Sequence, residues 1–302
     1  MARVATIPLQ RTMSDAIQRA QEKLAISQTQ LSTTKKASDF ASLGTETVRN
    51  LSAHSLLARQ DAQSTVSKRV GTTLSLYQGQ IEGMQDSIED LKQQITTTVG
   101  TGQSSGLQEA INAAFSQFRS SLNASEGGTP LFGGSQTGQP PFVPNTLADA
   151  ATTTGADAFK DDGVQSTARV ADGVDVTYGI SASALGKNMY EAFRTLAQAG
   201  NIGDQPTAAQ MDALKLVVSQ FDTGLGDLRA VNAENGRKQN QVETLAKRGD
   251  ERSLLLNGVI ETNEDADLGQ VAVDIAQQQT VLKASYSVFS QLSGLSLVDY
   301  LK

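Results

Sequence analysis

The feature that most constrains this chain is a heptad-spaced apolar seam at each end. Over residues 9–31, Leu9, Met13, Ile17, Ala20, Leu24 and Leu31 recur at steps of three, four and one full seven. Over residues 268–292, Leu268, Val271, Ile275, Leu282, Phe289 and Leu292 keep the same phase. Such spacing places the side chains on one stripe of a helix that packs against another helix. Two helices alone bury little area, and helices of this kind take most of their stability from tertiary packing. The ends are therefore expected to pair with each other and to seek further partners, most simply copies of themselves. Taken by periodicity alone, the same stripes also fit an ordinary bundle core.

More helix lies between the seams. Tyr77, Ile81, Met84, Ile88, Leu91 and Ile95 step by four and three within a helix expected over about 45–99. Gly71, Gly79 and Gly83 weaken it locally, and Gly100-Thr101-Gly102 ends it. Leu107, Ile111, Phe115, Phe118 and Leu122 mark a third helix. Helix returns near Lys187, with Met189, Phe193 and Leu196 on one face. A long helix follows from Thr207 to about Leu256, with Met211, Leu214, Val218, Phe221, Leu225 and Leu228 on its seam. Asn263 is the expected N-cap of the last helix, and Glu264, Asp265 and Asp267 suit its positive end.

The middle differs. Of six prolines, four lie between Pro130 and Pro144, beside Gly127-Gly128 and Gly133-Gly134, so this stretch reads as loop. The Thr-, Ala- and Asp-rich segment 145–163 reads as an irregular or mobile excursion. Val164–Val170 and Val174–Ile180 flank Asp172-Gly173, the turn pair of a β-hairpin. A small β module thus interrupts a mainly α chain.

Composition removes several functions. The net charge is −7 and no run of bases exceeds a pair such as Lys35-Lys36, so the basic stripe of a nucleic-acid binder is missing. With no cysteine and one histidine, disulfides, thiolate sites and His clusters for a metal are excluded. His54 has no Gly-x-Ser-x-Gly elbow to serve and reads as a surface or interface residue. Gly133-Gly134 lacks the Lys-Ser/Thr of a phosphate loop, and the acids at 264–267 lack EF-hand spacing. No cofactor and no enzymatic activity are expected. No run approaches the roughly 18 apolar residues that span a bilayer, and no apolar core of a signal peptide follows Arg3 and Arg11.

Three segments carry a resemblance. The last is the most specific: Glu264-Asp265-Ala266-Asp267-Leu268, then Gln277-Gln278-Gln279-Thr280, then Leu295-Ser296-Leu297-Val298-Asp299-Tyr300-Leu301. The second is Leu131-Phe132-Gly133-Gly134-Ser135-Gln136-Thr137 with Pro140-Pro141-Phe142, and the third is the first helix followed by Lys35-Lys36-Ala37-Ser38-Asp39. Together they resemble the flagellin and flagellar hook-associated family, nearest to its hook–filament junction members. The 35–39 turn departs from the family pattern, lacking its glycine, asparagine and prolines.

The resemblance implies an elongated, hairpin-like rod of long coiled-coil helices with an inserted β-hairpin. Residues 1–50 with 258–302 would form the terminal assembly domain, 51–129 with 187–257 the helical rod, and 130–186 the outward β insertion. Such a subunit would leave the cell through the flagellar type III apparatus without a cleaved signal peptide and act outside it. Its partners would be itself in a tubular assembly, other hook-associated proteins, flagellin, and a cytoplasmic export chaperone. The seam residues Leu9, Met13, Ile17, Leu24, Leu31, Leu268, Val271, Ile275, Leu282, Phe289 and Leu292 would form the assembly interface. Leu295, Leu297, Tyr300 and Leu301 would contact a neighbour or the chaperone. The main filament subunit is the alternative within the family, and an extracellular adhesion module is the alternative outside it.

Overall fold

The computed structural model describes the backbone of residues 3–298 and the side chains of 11–291. Its long helices are α1 (Arg3–Thr33), α2 (Thr47–Thr101), α7 (Ala208–Glu264) and α8 (Leu268–Val298). Between α2 and α7 lie α3 (Leu107–Leu122), the short pair β1 (Ser125–Glu126) and β2 (Thr129–Pro130), α4 (Leu147–Thr152), α5 (Gly155–Ala158), β3 (Ser166–Ala171), β4 (Val174–Tyr178) and α6 (Ala182–Gln198). The protein is mainly α, as the periodicity predicts. Its backbone divides into two compact units: residues 60–251, and residues 1–59 with 252–302.

The 60–251 unit has one continuous apolar core. Along α2 the predicted seam from Tyr77 to Ile95 is buried, and Val70 and Leu74 extend it. Phe115, Phe118 and Leu122 of α3, Met189 and Phe193 of α6, and Phe221 of α7 close around it. Polar bonds tie α7 to α2 where they run antiparallel: Asn235 Nδ2 donates to the Leu74 carbonyl at 2.8 Å and Arg229 pairs with Glu89 at 2.7 Å. The α7 seam is wider than predicted, because Val217 is buried as well as Leu214 and Phe221, with Val218 packed beside it.

The β-hairpin forms as its Asp-Gly turn predicts. Ser166 pairs with Tyr178 and Ala168 with Val176, and the register slips between Arg169 and Ala171. Its inner face supplies Val170 and Val176 to the core. Ser67 Oγ donates to the Val170 carbonyl at 3.1 Å and Gln63 Nε2 to Asp172 at 2.9 Å, so the hairpin lies against α2. Its outer face carries the Arg169–Asp175 pair and Thr167 opposite Thr177.

Segment 145–163 is a correction. It is folded, not an excursion. Thr146 and Asp149 form a capping box on α4, and Thr154 caps α5. Ala150 and Ala158 are fully buried, and Phe159 bridges to Phe142 within a ring cluster that includes Tyr190. The Thr, Ala and Asp content that reads as loop is helix-capping chemistry plus small residues at close contacts.

Helix ends bring further corrections. The helix expected near Lys187 begins at Ala182, capped by the Ser181 hydroxyl. Helix α7 starts where Thr207 and Gln210 cap each other reciprocally, and it runs past Leu256 to Glu264. Asn263 therefore lies inside α7 and caps nothing. The cap of α8 is Asp267, whose Oδ1 accepts from the backbone N–H of Gly269 at 2.9 Å and of Gln270 at 3.1 Å. Helix α1 begins upstream of Pro8 and continues through it.

Candidate assembly surface

The terminal unit is built on the pairing of α1 with α8. The two run antiparallel, since Gln21 Nε2 donates to the Tyr286 hydroxyl at 2.7 Å while Lys35 bridges Asp265. On α1 the inward stripe is Met13, Ile17, Ala20, Leu24 and Ser27. On α8 it is Val271, Ile275, Gln278, Leu282 and Ser285. Seam residues Leu31, Leu268 and Phe289 remain substantially exposed. Leu9 lies on α1 and Leu292, Leu295 and Leu297 on α8, but their side chains fall outside the described residues, as do Tyr300 and Leu301 entirely.

Little of this unit is dry. Among its described side chains the buried apolar ones are Ala20, Ala53, Ile260, Val271 and Leu282, and two of these are alanines. Most of the large apolar side chains exposed on the protein lie here instead. Val273, Val281 and Val288 lie exposed on α8 off its inward stripe, Val281 and Val288 one heptad apart on the same flank. Ile26 of α1 is likewise exposed off its inward stripe. Near the base of the unit Val48, Leu254 and Leu255 are 76%, 74% and 72% exposed. A helix that is apolar all round is a buried helix, and contiguous exposed apolar surface marks a site of association. Periodicity found the inward stripes. The outward residues it missed were legible only as apolar positions off the seam.

Where the helices turn, a polar joint holds the ends together. The backbone N–H of Lys36 donates to the Glu264 carbonyl at 2.6 Å, and that of Ala266 to the Thr34 carbonyl at 2.9 Å. Thr34 takes a left-handed conformation, with φ of 60°, to allow this crossing. Lys35 Nζ reaches Asp265 at 2.6 Å and Glu264 at 3.2 Å. Glu264 also accepts from Asn50 Nδ2 at 2.5 Å and meets His54 Nε2 at 2.6 Å, while its side chain is only 16% exposed. The His54 hydrogen bond, with those of Asn50 and Lys35, holds the Glu264 carboxyl down at about 2. The Asp265 hydrogen bond raises the Lys35 ammonium above its usual value. Phe40 stands edge-on to the His54 ring, 5.7 Å between centroids. His54 is thus a partner in a structural joint, and Glu264, expected to serve the dipole of the last helix, is its hub.

Among the described residues no group of three or more His, Cys, Asp and Glu side chains could hold a metal ion, and no helix is long and apolar enough to cross a membrane. No protein-family model matches the chain. Flagellar hook-associated protein 3 of Escherichia coli (strain K12) is 32% identical over 99 residues, which is 33% of this chain and 31% of that protein. The protein of the same name from Salmonella typhimurium is 27% identical over 106 residues, 35% of this chain and 32% of the relative. The likeness is to the flagellar hook-associated proteins.

Solved structures show a likeness of fold over more of the chain. A flagellar hook-associated protein of Vibrio parahaemolyticus matches 72% of this chain and 97% of its own, with a TM-score of 0.62 at 14% identity. Bacillus cereus FlgL matches 70% and 98%, with a TM-score of 0.56 at 16% identity. At such identities the likeness is one of fold. In sequence, the matched stretch spans about a third of the length of the curated hook-associated relatives.

Proposed function

We propose that this chain is a structural subunit of the bacterial flagellum that joins hook to filament through self-assembly of its terminal helices. The observation that carries the reading is the exposed valines of α8 off its inward stripe, Val281 and Val288 on one flank with Val273 beyond them, on a helix already paired with α1. Neighbouring copies bury these valines, and the burial stabilises helices that are marginal in the lone chain. At roughly 25 cal/mol per Å² of apolar surface, a few valines and leucines per contact, repeated round a ring or tube, suffice to drive association. The hook-associated relatives support the flagellar role. In this reading residues 1–50 with 258–302 assemble, the helices between them form the rod, and segment 130–186 is carried on it. The subunit acts outside the cell, next to other hook-associated proteins and flagellin, after an export chaperone has covered its C-terminal helix. It catalyses nothing.

Two measurements test this. Val273→Asp combined with Val281→Asp is expected to abolish sedimentation of assembled material while the melting of the 60–251 unit stays unchanged. Undiminished assembly sinks the proposed surface. Immunogold microscopy of intact flagella is expected to label the hook–filament boundary alone; label along the whole filament makes the chain a filament subunit instead.

A further inference from the structure

We infer that the Glu264 carboxylate is the joint that fixes the direction in which the α1–α8 pair leaves the α2 and α7 ends of the same unit. The connector of residues 34–46 reaches this group, and the connector of 265–267 follows it directly in the chain. From the first connector comes Lys35 Nζ at 3.2 Å. From α2 come Asn50 Nδ2 at 2.5 Å and His54 Nε2 at 2.6 Å. Glu264 is itself the last residue of α7, and its own backbone carbonyl receives the Lys36 N–H. Val48 and Leu51 on the adjoining turn of α2 face outward, while Phe40 stands against the His54 ring and Ile260, one turn earlier on α7, is buried. The charged and titratable groups around the joint are Lys35 and Lys36 from the first connector, Asp265 from the second, His54 from α2 and Glu264 from α7.

The consequence is positional. A carboxylate accepting three directed hydrogen bonds, most of its surface out of water, holds their donors in one geometry. With it, the terminal pair presents its outward side at a set angle. Without it, the pair stays helical and paired through its seam but swings. Assembly then requires ordering that the intact joint supplies beforehand. This consequence rests on the assembly reading above; the joint itself does not.

The chain has no cysteine, so spin labels can be placed by Ser52→Cys on α2 and Ala284→Cys on α8, both exposed positions. Electron–electron distance measurement on the full chain as monomer is expected to give one narrow distribution. Adding Glu264→Ala is expected to broaden it several-fold with helical content unchanged, and Glu264→Gln to broaden it less. Glu264→Ala is also expected to raise the concentration needed for half-assembly about tenfold or more, the scale of one lost charge-assisted contact. A distribution equally narrow in Glu264→Ala, or already broad in the unsubstituted chain, overturns the joint. If the unsubstituted chain fails to assemble, the functional reading fails, and the distance distributions still decide the joint.

Discussion

Glu264 Oε1 lies 2.6 Å from His54 Nε2, a bond across 210 positions of sequence. It joins the last residue of α7 to the second turn of α2, and it is the main reason the Glu264 carboxyl is depressed from 4.5 to about 2. A carboxyl whose folded pKa is lowered favours the folded state above its unfolded value. That contribution is complete above about pH 4.5 and is lost as pH falls through about 2. Titration of the Glu264 side-chain carbon by NMR is expected to show a midpoint near 2, well below the usual carboxylate value. A midpoint near 4.5 means the joint is open in solution.

Amide exchange of the monomer should divide with the core. The 60–251 unit holds the continuous apolar cluster, whereas α1 and α8 pair with each other. Slow exchange is expected along 70–95 and fast exchange along 11–33 and 268–291, with the second set slowing on assembly. Protection at 1–40 together with rapid exchange at 70–95 contradicts this account.

Two glycines of α7 should respond oppositely to alanine. A Cβ at Gly224 meets the Met189 side chain at 2.9 Å and the Met189 backbone nitrogen at 3.1 Å, where α6 crosses α7. Backbone cannot yield as a side-chain tip does, so Gly224→Ala is expected to destabilise by about 1–3 kcal/mol. A Cβ at Gly226, two residues on, meets nothing within 4 Å. There the helix propensity of alanine is gained without a clash, and Gly226→Ala is expected to stabilise by up to about 1 kcal/mol. Paired urea melts measure both signs at once.

Segment 130–186 should prove to be part of the core. Phe142 is fully buried and its ring packs against Phe115, Phe118, Phe159 and Tyr190. Phe142→Ala is expected to cost about 3–5 kcal/mol in denaturant melts of the whole 60–251 unit. A loss confined to the segment, with α2 and α7 melting as before, shows instead that the segment folds separately.

Periodicity alone determined much of this protein: the long helices, the seam of α2 from Tyr77 to Ile95, the hairpin at Asp172-Gly173 and the inward stripes of α1 and α8. Each is a local pattern, because a heptad or an alternation is written into neighbouring residues. The family likeness was likewise written in short runs of sequence. Only the tertiary structure decided that Asn263 continues a helix while Asp267 caps one, since a helix end depends on which carbonyls find partners. It decided that 145–163 is core, because burial of Ala150, Ala158 and Phe159 needs Phe142 and Tyr190 from elsewhere. It also decided that Glu264 is a hub, because its partners at 35, 50 and 54 are more than 200 positions away. Side-chain hydrogen bonds carry no sequence period. A pattern can say which face of a helix is apolar, but only the packed chain shows which donors a single carboxylate will meet.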